Sequence, residues 1–199
     1  RRYVATPEQV QRGISFRLRR GSNPVFRTVM VTGSPSKAPA PASEKLSASK
    51  TIRTLQGGRV DLSKVTQGDQ LVVTLNLSPK ERRNNPVIVA DLLPAGFEIE
   101  TVLGPADGDR SNGADGAFAW IGEIDRAQTA EARDDRFVAA IDVIREDRTL
   151  AYVVRAVTPG TYTMPGVVAE DMYRPDVFAR SASTTVTIAP QVTGPGGSK

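Results

Sequence analysis

Two runs of the chain alternate apolar and polar positions with a period of two, the spacing of half-buried strands. Leu71, Val73, Leu75 and Leu77 alternate with Val72, Thr74 and Asn76. Phe137, Ala139, Ile141 and Val143 alternate with Val138, Ala140, Asp142 and Ile144. Two other runs differ. Val87 to Leu93 is nearly continuous apolar and predicts a central strand buried on both faces. Leu150 to Val157 is apolar on both faces apart from Arg155. Thr158-Pro159-Gly160-Thr161 then reads as a turn, because Pro presets φ and Gly accepts φ > 0. A second extended run from Tyr162 to Ala169, interrupted at Met164-Pro165-Gly166, would complete a β-hairpin.

Shorter extended segments are predicted at Leu46–Leu55, as an edge strand, around Phe97 and Ile99, at Val177–Arg180 and at Thr184–Ile188. Toward the N-terminus, Ile14, Phe16 and Leu18 alternate with arginines, and Val25–Val31 is another strand candidate. Gly122–Arg133 holds helix formers, with Asp125 or Thr129 as a cap, and predicts one short helix. Without βαβ alternation, these elements predict an all-β fold, an antiparallel β-sandwich with one short helix.

Proline and glycine set the organisation. Gly33 to Pro41 is a Pro-rich strap that cannot be helical. The expected division is residues 1–25 from a preceding domain, a linker over 26–41, a sandwich over 42–190 and a disordered tail over 191–199. The first 20 residues carry Arg1, Arg2, Arg12, Arg17, Arg19 and Arg20 against Glu8 alone. Arginines on an edge strand discourage edge pairing, which is the expected reading. The chain begins at Arg1-Arg2 and reads as a piece of a longer protein.

Composition narrows the chemistry. The 199 residues carry 26 basic and 22 acidic side chains, a net charge of +4 that does not argue for nucleic acid. No apolar run reaches the ~20 residues that a spanning helix needs. The absence of Cys and His excludes Ser-His-Asp and Cys-His nucleophilic sites, His or Cys metal sites and disulfides. Neither a cofactor nor a metal site is expected. The acidic run from Asp107 has a calcium-loop rhythm, but Asn112 and Phe118 stand where such a loop needs Gly and Glu.

Two clusters remain. Arg133-Asp134-Asp135-Arg136 places adjacent carboxylates that would point to opposite faces of a strand, so they cannot flank one substrate bond. It is read as a structural charge cluster at a helix-to-strand junction. Asp171, Tyr173, Arg174 and Asp176 form the candidate interaction surface, since Tyr and Arg are enriched at the energetic centres of interfaces. Against that stands a structural reading in which Met172 and Tyr173 are buried in the sandwich while Arg174 pairs with Asp176.

Several motifs in order carry a resemblance: GGRVDLSKVTQGDQLVVTL from Gly57, DLLPAGFEIE from Asp91, RDDRFVAAID from Arg133, LAYVVRAVTPGTYTMPG from Leu150 and AEDMYRPDVFARS from Ala169. They resemble the last, macroglobulin-like domain of the bacterial alpha-2-macroglobulins, secreted protease-trapping proteins. The resemblance covers about Phe26 to Ile188. It implies a fibronectin-like sandwich, with residues 1–25 as the tail of a preceding CUB-like domain. It further implies a non-catalytic module of a broad protease inhibitor that collapses around its target after cleavage of a distant bait region. The family's reactive bond is a Cys-Gln thioester, and this chain has no Cys to form one. The domain would contact the thioester domain or shield its bond, with Tyr173 and Arg174 foremost, and would move on trap closure. Expected partners are the thioester and macroglobulin-like domains of the parent chain, target proteases through the full-length protein and, as a further candidate, a cell-wall synthase. The expected location is the periplasm, with the parent anchored to the inner membrane by a lipidated N-terminal Cys. Receptor binding of the kind found in animal relatives is not expected, because Gly122–Arg133 has no Lys. The alternative is an adhesion or scaffold sandwich of the cell envelope.

Overall fold

The computed structural model describes residues 3–15, 17, 26, 28, 30, 38–105 and 116–191. The chain divides into two compact units, Arg1–Pro35 and Ser36–Lys199. The described part of the first unit holds a short helix, α1 (Pro7–Arg12). Its start is local chemistry. Thr6 Oγ1 accepts the Gln9 amide, the Gln9 side chain accepts the Thr6 amide, and Pro7 occupies the first turn. Ile14 lies in no strand. Phe16 and Leu18, most of Val25–Val31 and the tail from 192 lie outside the described residues, as does the acidic run from Asp107 to Gly113.

The second unit is the sandwich. Its strands are β1 (Ala42–Glu44), β2 (Leu46–Thr54), β3 (Val65–Thr66), β4 (Gln70–Pro79), β5 (Asn84–Leu92), β6 (Phe97–Leu103), β7 (Thr129–Arg133), β8 (Arg136–Ile144), β9 (Arg148–Ala156), β10 (Gly160–Met164), β11 (Val168–Asp171), β12 (Phe178–Arg180) and β13 (Thr184–Ala189). One sheet runs β1-β12-β11-β5-β8-β7, a second β2-β4-β9-β6 and a third β10-β13-β3. Among the described residues the paired strands run antiparallel apart from β13 with β3, and an isolated parallel bridge joins Lys45 to Phe178. All three sheets feed one core. Leu75, Leu77, Leu150, Tyr152 and Val154 meet Val87, Val89, Phe137, Ile141 and Val143, with Val186 and Ile188 at one end. The rings of Phe137 and Tyr152 stack at 4.8 Å.

The run from Leu150 is buried on both faces for a definable reason. Leu150, Tyr152, Val154 and Ala156 face the main core, while Ala151 and Val153 face a second cluster with Val72, Leu103 and Ile124. That cluster is roofed by the segment from Phe118 to Ile124, including a 3-10 turn at Ala119–Ile121. Trp120 lies over Gly57, whose φ is +82°, and a Cβ there would come within 2.6 Å of the indole. The indole also donates to the Leu55 carbonyl at 2.9 Å.

Several expectations fail. Gly122–Arg133 is not a helix: Ile124 is drawn into the second cluster, and Thr129–Arg133 becomes β7 along β8. Ladder pairing and one buried side chain outweigh a weak helix propensity. β9 and β10 do not form a hairpin. β9 pairs with β4 and β6, while the Pro159 turn carries the chain to the third sheet, where β10 pairs with β13. β5 is central but buried on one face: Val87 and Val89 are inward, whereas Ile88 and Leu92 are 43% and 47% exposed. β2 is an edge strand, as its pattern predicts.

Candidate functional site

β11 ends at Asp171, and the chain passes through a compact turn before β12. The turn is tied at both ends: the Asp171 amide donates to the Val177 carbonyl at 2.9 Å, and the Met172 amide to the Pro86 carbonyl at 2.9 Å. Asp171 pairs with Val87 of β5 and is 5% exposed. Its Oδ1 accepts the backbone amides of Tyr173 and Arg174, both at 2.9 Å. Its Oδ2 accepts from Arg174 Nη2 at 2.7 Å and Nε at 3.2 Å. The Arg174 guanidinium reaches on to the Asn84 carbonyl and to the side chain of fully buried Asn85. Asn85 Nδ2 in turn donates to the carbonyls of Val143 and Arg83 at 3.2 and 3.1 Å. A strand pair, an Asx-type turn and one guanidinium are thereby locked together.

Burial pushes the Asp171 carboxyl up, but the Arg174 hydrogen bonds and the two backbone amides outweigh it, and its pKa falls below the usual aspartate value. The hydrogen bonds to Asp171 raise the Arg174 pKa in return. At the turn's outer side Lys45 Nζ donates to Asp176 at 2.5 Å, and Glu81 lies 4.0 Å from Lys45 and 3.9 Å from Arg174. Lys45 holds φ at 57°, an uncommon value for a side-chain-bearing residue, at the corner between β1 and β2.

On this base Met172 and Tyr173 project outward, 44% and 81% exposed. The four residues of the expected surface therefore do converge, in unequal parts. Tyr173 is presented, Arg174 is half-buried beneath it, Asp176 is a rim ion pair, and Asp171 is internal. Met172 and Tyr173 are not buried in the core, and the partner of Arg174 is Asp171 rather than Asp176.

Arg133-Asp134-Asp135-Arg136 lies elsewhere. Arg133 pairs with Arg136 across the β7–β8 ladder, so Asp134-Asp135 is a two-residue hairpin turn rather than a helix-to-strand junction. The Asp135 carbonyl accepts the Leu93 amide at 2.9 Å, and its exposed carboxylate sits 3.3 Å from Arg136.

A second polar cluster went unmarked in the sequence. Lys50 on β2 donates to Asp91 on β5 at 2.8 Å, and Tyr152 on β9 donates to the other Asp91 oxygen at 2.5 Å. The Asp91 and Tyr152 side chains are fully buried and that of Lys50 is 8% exposed. Burial raises the Asp91 pKa against the pull of Lys50 and Tyr152. Burial first, then the Asp91 charge, raises that of Tyr152. The available signal was phase: Asp91 continues the inward register of Val87 and Val89. With one carboxylate, one amine and one phenol sealed from solvent, the cluster joins the two main sheets.

Comparison with known proteins accords with this anatomy. Residues 46–176 match the family model of the bacterial alpha-2-macroglobulin MG10 domain. An alpha-2-macroglobulin of Xylella fastidiosa is 34% identical over 185 residues, covering 89% of this chain and 11% of that protein. One from Escherichia coli is 34% identical over 174 residues, covering 84% and 10%. Among solved structures, native E. coli alpha-2-macroglobulin from domain MG7 to the C-terminus superposes with a TM-score of 0.68 at 34% identity, over 79% of this chain and 25% of that one. Salmonella alpha-2-macroglobulin reacted with methylamine gives 0.66 at 37%, over 79% and 10%. The chain thus spans about a tenth of the full-length relatives that it matches. A sandwich of this topology, matched over most of its length by several relatives, belongs to the bacterial alpha-2-macroglobulin family of protease-trapping proteins, and corresponds to their MG10 domain.

Proposed function

We propose that this domain is a non-catalytic part of a periplasmic protease trap, and that its Met172–Tyr173 tip covers a reactive thioester in another domain of the parent protein. The reading rests on one observation: two large apolar side chains stand in solvent on a turn whose backbone is fastened beneath them. A thioester survives only where water and amines are kept from it, and a flat aromatic ring beside a thioether excludes both. The reaction of a Salmonella relative with methylamine supports the same direction, since methylamine is a nucleophile that a shield would restrain. On this reading cleavage of the trap withdraws the tip and exposes the bond.

The experiment is methylamine inactivation of the full-length parent protein with and without Tyr173→Ala. A rate rise of about tenfold is expected on loss of the ring, because the shield acts by excluding the nucleophile. Unchanged rates in the two proteins would sink the reading. So would a parent that takes up no methylamine in either form.

A further inference from the structure

We propose that Asp171, Arg174 and Asn85 are positioning residues that hold the Met172–Tyr173 tip in its covering pose, so that shielding is set by the fastening under the tip as well as by the ring itself. The inference rests on reading the tip as a shield and adds how that shield is kept in place. A surface turn with an exposed aromatic ring ordinarily moves freely. This one does not stand alone. The Tyr173 amide is bonded directly to a carboxylate that is 5% exposed, and Arg174, the next residue, is anchored by that carboxylate and by fully buried Asn85. Asn85 is itself held by two carbonyls, one of them on β8. The backbone that carries the ring is therefore connected through hydrogen bonds to the centre of the six-stranded sheet. On the outer side the Lys45–Asp176 pair closes the turn against the β1–β2 corner. Such fastening does not stabilise an exposed ring, which gains nothing from being fixed in water. It favours contact with a partner by removing the ordering cost in advance.

The consequence is quantitative. If the tip covers its target only while fastened, the leak scales with the unfastened fraction. Arg174→Met removes the fork but keeps the apolar stem. Arg174→Lys keeps the charge but cannot bond Asp171 and Asn85 together.

The test uses the full-length parent protein in five forms: unaltered, Tyr173→Ala, Arg174→Met, Arg174→Lys, and Tyr173→Ala combined with Arg174→Met. Methylamine inactivation rate and melting temperature are read for each. Arg174→Met is expected to raise the rate about fivefold, with Arg174→Lys between it and the unaltered protein. In the double variant Arg174→Met should add nothing to Tyr173→Ala, because it acts through the ring. A general loosening of the domain would add in both backgrounds, and that result overturns the proposal. So does an unchanged rate for Arg174→Met when Tyr173→Ala raises it, an outcome that leaves the shield reading intact. If Arg174→Met does not fold, Arg174→Lys decides by the same comparison. If Tyr173→Ala has no effect, the shield reading falls first and this proposal falls with it.

Discussion

Asp91 and Asp171 are both buried, both lie at the ends of strands in the six-stranded sheet, and both face a basic side chain. Their environments nonetheless act in opposite directions. Asp91 accepts from one ammonium and one phenol inside the core and has no backbone amide among those partners, so desolvation dominates and its pKa rises. Asp171 sits at the sandwich's edge, where two backbone amides and a half-exposed guanidinium converge on it, and its pKa falls. A carboxylate is favoured by donors aimed at it, and a single cation in an apolar setting does not replace the water it lost. One aspartate therefore joins two sheets, while the other shapes a turn.

The largest separation should come from Asp91→Ala. It leaves Lys50 uncompensated in the core, and a loss of about 3–5 kcal/mol is expected by denaturant unfolding. Asp171→Ala strands two turn amides nearer to solvent and should cost about 1–3 kcal/mol. An Asp171 loss equal to or above that of Asp91 would break the distinction between core and edge.

Acid unfolding sharpens it. With its lowered pKa, Asp171 contributes stability that is present above the ordinary aspartate value of 3.8 and is lost as pH falls through the shifted value. Asp91, with a raised pKa, contributes stability that is present below 3.8 and is lost as pH rises through its own shifted value. Asp171→Asn should flatten the acid loss of stability as pH falls through and below 3.8, whereas Asp91→Asn should steepen it above 3.8. Equal slopes for the two variants would contradict the assigned directions.

Smaller still is Tyr152→Phe. It keeps the stack on Phe137 and removes one hydrogen bond, for about 1 kcal/mol in the melting curve. The least effect is expected for Asp135→Ala, whose exposed pair with Arg136 should be worth less than about 0.5 kcal/mol. A large fall in melting temperature there would show that the hairpin turn depends on the side chain rather than on the Leu93–Asp135 backbone bond.

Much of the sandwich was legible because period-two alternation reports a strand whenever one face is buried, as at β4 and β8. The run from Leu150 was legible as buried on both sides, though not what lay on each side. The segment after Gly122 misled, because its helix formers carry weak preferences that one buried Ile124 and a ladder along β8 override. The hairpin at Pro159 misled in a different way: a turn signal says that the chain reverses, not which sheet receives the next strand. At the candidate site the cluster from Asp171 to Asp176 was visible as a group of residue types. Which of them faced out was not, since a six-residue stretch without periodicity carries no phase.

The sequence by itself determined that the fold is built mainly of strands, the absence of Cys and His chemistry, and the ordered motifs that connect this chain to its family. Tertiary structure alone decided that Asp171 is an internal brace and Tyr173 the presented group, because the pairing of Asp171 with Val87 and the hydrogen bonds that Arg174 donates to Asn84 and Asn85, all far away along the chain, choose between them. It alone also brought Lys50, Asp91 and Tyr152 together. Local preference acts over a few residues, whereas burial and charge pairing join strands that meet only after the two layers close.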